Sequence, residues 1–138
     1  MSARKGLGQF LQEKGLLTAP ILQKALQEQE RSGLPLRTVL LNAGVVTEEH
    51  LLDYYETVLA VPRLDIDVFP LDPEAALMIP EEVARRHGLI GAFCVENSLT
   101  VIMTDPLSLV AQDEVRRLTG KQLEIGVAST DAVTKALD

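Results

Sequence analysis

The 138-residue chain has little of what builds covalent staples and metal centres: one cysteine and two histidines. Cys94 alone cannot form an internal disulfide, which agrees with a reducing compartment. Its neighbours Ala92, Phe93 and Val95 suit a small buried hydrophobe in a strand better than a nucleophile. His50 follows Glu49 with no second histidine at helical spacing, which excludes a zincin-type site; both histidines read as surface or helix-end residues. Long apolar runs are also missing, and none approaches the roughly 20 residues that a spanning helix needs. Arg4 and Lys5 precede Gly6 to Leu11 without the sustained apolar stretch of a signal peptide. The expected location is the cytoplasm, with membranes reached only through partners. The single Gly-Lys pair, Gly120-Lys121, has Val115 where a phosphate loop needs glycine and Gln122 where it needs Ser or Thr. The chain is therefore not itself a P-loop ATPase. No nucleophile, base and orienting group assemble from the remaining residues, so neither an enzyme nor a cofactor is expected.

Charge narrows the field further. A net charge of −7 opposes general nucleic-acid binding, which depends on a basic face. Residues 1–58 hold six Lys/Arg against seven Asp/Glu, whereas the remaining residues hold seven against thirteen. A phosphate-bearing ligand meets least repulsion in the first part, beside Arg4, Lys5, Lys14 and Arg37. Of the carboxylates, Glu48-Glu49 and Glu81-Glu82 suit first helical turns. Asp65 and Asp67 share one side of an alternating segment and read as solvated edge charge rather than a cation site.

What the chain does contain is a motif written twice. Leu7, Gly8, Leu11, Gly15, Leu22, Leu26 and Gln29 recur twenty-nine positions later as Leu36, Arg37, Leu40, Gly44, Leu51, Tyr55 and Val58. Such a period signals one supersecondary unit used twice, each copy covering the apolar face of the other. In each copy a short apolar helix should stop at Gly15 or Gly44, and a capping threonine, Thr18 or Thr47, should open the next. Pro20 and Glu48-Glu49 fit first turns. The expectation is two helical hairpins, from about 5 to 30 and 35 to 60, packed on each other.

After Ala60 the pattern changes. Val61 to Val68 alternates apolar and polar residues and predicts a half-buried strand. Asp72-Pro73-Glu74 and Pro80-Glu81-Glu82 open helices, the second closing at Gly88. Two apolar stretches between Leu89 and Thr104 flank Glu96-Asn97-Ser98 and predict a hairpin. A helix from about Leu107 to Leu118, a strand from about Gln122 to Ala128, and a last helix capped by Ser129 or Thr130 complete the reading. The fold class is α+β. A tandem helical-hairpin sub-domain (1–60) precedes a small α/β sub-domain (61–138) with about four strands and three or four helices.

This double motif and the α/β unit after it resemble the MshEN domain, the N-terminal domain of the ATPases that power type II secretion and type IV pilus assembly. That family's motif reads Arg-Leu-Gly, then Leu, Gly, Leu, Leu and Gln at fixed spacing, with five residues between copies. Here the first copy matches from Leu7-Gly8 through Gln29, and residues 30–34 form the spacer. Val61-Pro62, Ile79-Pro80-Glu81-Glu82 with Arg85-Arg86-His87, Thr104-Asp105-Pro106 and Leu118-Thr119-Gly120-Lys121 extend the likeness along the second half.

The resemblance implies two roles. In some members the tandem motif binds cyclic di-GMP, one copy serving each half of the ligand, and other members use the domain for docking. The implied ligand residues are Leu7, Gly8, Leu11, Gly15, Leu22, Leu26 and Gln29, with Leu36, Arg37, Leu40, Gly44 and Leu51 in the second copy. Leucines offer apolar ground for guanine, glycine admits phosphate, arginine stacks or binds bidentately, and Gln29 can pair with a purine edge. The plain alternative is that the leucines are core and the glycines are caps. Departures from the family pattern weaken the ligand role. Gly6 and Pro35 stand where arginine leads each copy, Arg37 replaces glycine, and Val58 replaces glutamine. An apolar group at 58 would leave a buried base edge unpaired, at about 1–3 kcal/mol. The expected function is a non-catalytic docking and regulatory module that couples a motor domain in cis to the cytoplasmic domain of a secretion or pilus platform protein. A cyclic di-GMP sensor is the alternative.

Overall fold

A computed structural model describes residues 6–68 and 70–138, so Arg4 and Lys5 lie outside the described residues. The chain forms two compact units that divide after Ala60. The first holds α1 (Leu7–Glu13), α2 (Ala19–Ser32), α3 (Leu36–Asn42) and α4 (Glu48–Thr57). α1 and α3 start and stop at repeat-equivalent residues, and the same chemistry ends both. Gly15 and Gly44 take left-handed φ of 75° and 71°, where a Cβ would be strained. The Gly15 and Leu16 N–H groups donate to Gln12 and Leu11 carbonyls, each at 3.0 Å. One repeat later, Gly44 donates to Leu41 at 3.0 Å and Val45 to Leu40 at 3.2 Å. Each pair is a Schellman closure.

The helix starts are less alike. Thr47 Oγ1 accepts the His50 N–H while His50 Nδ1 accepts the Thr47 N–H, a reciprocal cap. Thr18 holds the same position before α2 but makes no side-chain cap bond, contrary to expectation. Pro20 removes one of the two N–H groups a cap side chain can reach, while the Ile21 N–H, equivalent to the His50 donor, is left unused by Thr18. Packing is crosswise: α1 lies against α4, and α2 against α3. Leu11 and Leu40, both fully buried, anchor the two short helices, and each contributes roughly 1.5–3 kcal/mol.

The second unit is a three-stranded sheet with helices on it. β1 (Leu89–Val95) and β2 (Ser98–Met103) form the expected hairpin, and β3 (Gln122–Val127) runs parallel to β2, giving the order β1-β2-β3. The helices are α5 (Pro73–Leu77), α6 (Glu81–His87), α7 (Leu109–Thr119) and α8 (Thr130–Leu137). Of the two expected caps for α8, Ser129 is the one that accepts a bond, from Ala132 N–H at 3.1 Å. Leu99, Val101 and Met103 face a core with Ile79, Val83 and Val115, while Ile90 and Ile102 face another with Val133. Arg86 and His87 of α6 both bond Glu114 of α7, and the His87 bond, first, holds the Glu114 carboxyl below its usual range.

The fourth strand expected at Val61–Val68 does not form. That segment makes one parallel bridge, between Arg63 and Val127, with Val127 N–H donating to Pro62 O at 2.9 Å and Leu64 N–H to Val127 O at 3.0 Å. Beyond it the chain turns: Asp65 Oδ1 accepts the Asp67 N–H at 3.0 Å, and Asp65 O accepts the Val68 N–H at 3.1 Å. An aspartate offers its own backbone a competing acceptor, which ends strand pairing. Leu64 and Ile66 still pack on the core, whereas Val68, in the turn beyond, is exposed, so the alternation held for burial only as far as Ile66.

Candidate functional site

The repeat residues separate by depth. Leu11, Leu40 and Leu51 are fully buried, so their side chains belong to the core of the helical unit. Gly15 and Gly44 are exposed and accounted for by the helix ends they close. Leu7, Gly8, Leu22, Gln29, Leu36, Arg37 and Val58 are half-buried, and Leu26 is exposed.

The two copies use these positions differently. In the first, a Cβ on Gly8 would lie 2.9 Å from Leu22 Cδ1, so glycine is what lets α2 rest against α1 there. In the second, Arg37 stands at the glycine position and its Nε donates to the Tyr55 hydroxyl at 2.8 Å. Tyr55 is the equivalent of Leu26. The two departures from the repeat therefore bind each other, and the guanidinium is tied to α4 by its own chain. The repeat shows both substitutions in the sequence but not that they touch.

Two grooves also obey the repeat. One, of about 500 Å³ between α2 and α3, includes Glu28, Val39, Asn42 and Ala43 in its lining. The other, of about 530 Å³ between α1 and α4, is lined by Phe10, Glu13, Lys14, Thr57 and Val58. Phe10, Glu13, Lys14 and Thr57 are the repeat equivalents of Val39, Asn42, Ala43 and Glu28. Their chemistry differs. The α2/α3 groove reaches buried Ala25, Val39 and Leu40, with Ile21 and Leu34 at its sides and Lys24 at its rim. In the α1/α4 groove Phe10 is the buried lining residue; its ring lies 5.3 Å from that of Tyr54 and beneath Lys14 Nζ at 5.5 Å. Glu28 bonds Arg31, a contact that holds its carboxyl below the usual range. Of the residues around the α2/α3 groove, the sequence reading singled out only Leu40 as a candidate. Placing Phe10 against Val39 and Tyr54 against Ala25 at the repeat offset was the signal that could have revealed it.

No helix among the described residues is long and apolar enough to cross a membrane, and no group of His, Cys, Asp and Glu among them could hold a metal ion. The family model for the MshEN domain matches residues 59–138. The chain belongs to the MshEN domain family. A type IV pilus assembly ATPase PilB of Myxococcus xanthus is 32% identical over 138 residues, all of this chain and 24% of that protein. PilB of Thermus thermophilus is 34% identical over 116 residues, 80% of this chain and 13% of that protein. This MshEN chain thus spans about a quarter or less of those relatives. Among solved structures, MshE with cdg matches with a TM-score of 0.82 and 28% identity, over 98% of each chain. The N-terminal domain of XpsE matches at 0.80 and 21% identity, over 99% of this chain and 96% of that one, which speaks to fold alone. The α+β class and the resemblance drawn from the double motif both hold.

Proposed function

We propose that this MshEN domain is a non-catalytic docking and regulatory module of a type II secretion or type IV pilus-assembly ATPase. In this reading it works in the cytoplasm and couples a motor domain in cis to the cytoplasmic domain of a platform protein. The observation that carries it is the Arg37–Tyr55 bond. In the second copy Arg37 is held by Tyr55 and Leu40 and Leu51 are buried, while the scaffold that presents a surface is kept. Leu51 is fully buried and Val58 offers no polar atom to a base. The test is a pull-down of platform proteins encoded beside the ATPase, using the intact protein. Enrichment that disappears when residues 7–58 are deleted supports the reading, and no enrichment with the protein intact removes it.

A second reading, a cyclic di-GMP sensor, is favoured by the likeness to MshE solved with cdg. The first copy retains Gly8, Leu22, Leu26 and Gln29 at the surface. On this reading Leu7, Gly8, Leu22, Leu26 and Gln29 hold one half of the ligand, while Leu36 and Arg37 meet the other imperfectly. Each 1.4 kcal/mol lost is about tenfold in affinity, so a half-matched site binds orders of magnitude more weakly. Calorimetry separates the two: no heat at high micromolar dinucleotide leaves docking alone.

A further inference from the structure

The Phe10–Tyr54 pair, with ring centroids 5.3 Å apart, closes the floor between α1 and α4. The repeat places Val39 and Ala25 at the equivalent positions between α3 and α2, and both line the groove of about 500 Å³ there. One groove is thus floored by two rings of the chain itself, whereas its counterpart has an apolar floor without a ring. Ile21 and Leu34 beside it remain 40% and 41% exposed. Lys24 stands at its rim without an acidic partner among the described residues, and Glu28 is already engaged by Arg31.

We propose that the α2/α3 groove is a docking site for an aromatic side chain carried on an acidic amphipathic helix of a partner protein. The ring enters over Ala25 and Val39, where the equivalent positions of the α1/α4 groove carry the Phe10–Tyr54 pair. A carboxylate one turn away meets Lys24, and apolar neighbours cover Ile21 and Leu34. A helix laid along a groove between two helices presents its anchors at the spacing this requires. A buried aromatic anchor ringed by apolar contacts is the usual energetic centre of such an interface. The proposal rests on the docking reading and gives it a place on the surface, at a groove more apolar than its α1/α4 counterpart.

The test is methyl-resolved NMR of the full chain, titrated with a helical acidic peptide carrying one central Phe and with its Phe→Ala twin. The expected result is shifts at the methyl groups of Ile21, Ala25, Val39 and Val45, with the Ala twin binding at least about tenfold more weakly. Ala25→Tyr, which supplies a ring from within, abolishes them. Lys24→Glu, at an exposed position that leaves the fold intact, weakens binding about fivefold at low salt. Equal binding of the two peptides, shifts that map elsewhere, or no shifts at millimolar peptide overturn the proposal. A platform protein captured equally by wild type and by Lys24→Glu and Ala25→Tyr overturns this groove and spares the docking reading. Failure of all capture, with the peptide still seated over Ala25, sinks the platform assignment and supports the groove.

Discussion

The two copies of the repeat share a skeleton and differ in what they do with it. α1 and α3 have equivalent bounds, equivalent glycine closures and equivalent buried pairs, Phe10-Leu11 and Val39-Leu40. The long helices then part. α2, with 14 residues, buries only Ala25, while α4, with 10, buries Leu51, Leu52, Tyr54 and Tyr55. Duplication gave the chain two similar surfaces, and substitution turned one long helix into core while the other stayed at the surface. The tyrosines contribute to this: Tyr54 packs on Phe10 with the rings tilted by 60°, and Tyr55 holds Arg37. A family-like set of motif residues survives in the copy whose long helix was left exposed, and that helix also forms one wall of the apolar groove.

The comparison can be broken at its strongest point, the shared skeleton. Leu11→Ala and Leu40→Ala should each destabilise the helical unit by about 2–5 kcal/mol, because both side chains are fully buried at equivalent positions. Denaturant unfolding followed by far-UV circular dichroism reads this, and a near-neutral effect of either one contradicts the equivalence. Next comes Tyr55→Phe, which removes the hydroxyl that accepts from Arg37 Nε and should cost about 1–2 kcal/mol. Leu26→Phe at the equivalent exposed position should change stability by less than about 0.5 kcal/mol. Equal effects of the two in the same unfolding assay would mean that the long helices have not diverged.

The caps sharpen the contrast on a smaller scale. Thr47→Ala removes a reciprocal cap and should cost about 1 kcal/mol, whereas Thr18→Ala loses no cap bond and should be close to silent. The smallest effect concerns Glu28, whose carboxyl is held below its ordinary value of 4.5 first by the hydrogen bond from Arg31. A depressed carboxyl contributes stability that is present above its unfolded pKa and lost as pH falls through its folded pKa. Below about pH 4.5 the Arg31 Nε–H signal should therefore shift with pH as its bond to Glu28 is lost, and Glu28→Gln should remove that shift. Thr57, the equivalent residue in α4, bonds Asp53 through a hydroxyl and has no carboxyl of its own to titrate. An unchanged profile in Glu28→Gln would show the pair to be inert.

Much of this architecture was legible because it rests on local chemistry. Gly15, Gly44, Gly88 and Gly120 all take the left-handed conformation that ends a helix, and each was visible as the break in an apolar period. The hairpin over Glu96-Asn97 and the helix after Asp72 were equally local. What failed was tertiary or competitive: Asp65 turned an alternating segment out of the sheet, and Thr18 makes no cap bond although it precedes α2 as Thr47 precedes α4. The site was half legible. Spacing located the motif, but whether Arg37 faces a ligand or Tyr55 depends on a contact eighteen residues away that no local pattern encodes. The α2/α3 groove was hidden for a similar reason, since it arises from small residues on two helices that only crosswise packing brings together.

The claim that the second copy has been drawn into its own packing is tested most directly by calorimetry with cyclic di-GMP. Wild type is compared with a variant carrying Arg37→Gly, Tyr55→Leu and Val58→Gln, which restores the residues of the first copy. The account predicts weak or undetectable heat for wild type and an affinity at least about tenfold tighter for the restored variant. Submicromolar binding by wild type that the three changes leave untouched or weaken would contradict it.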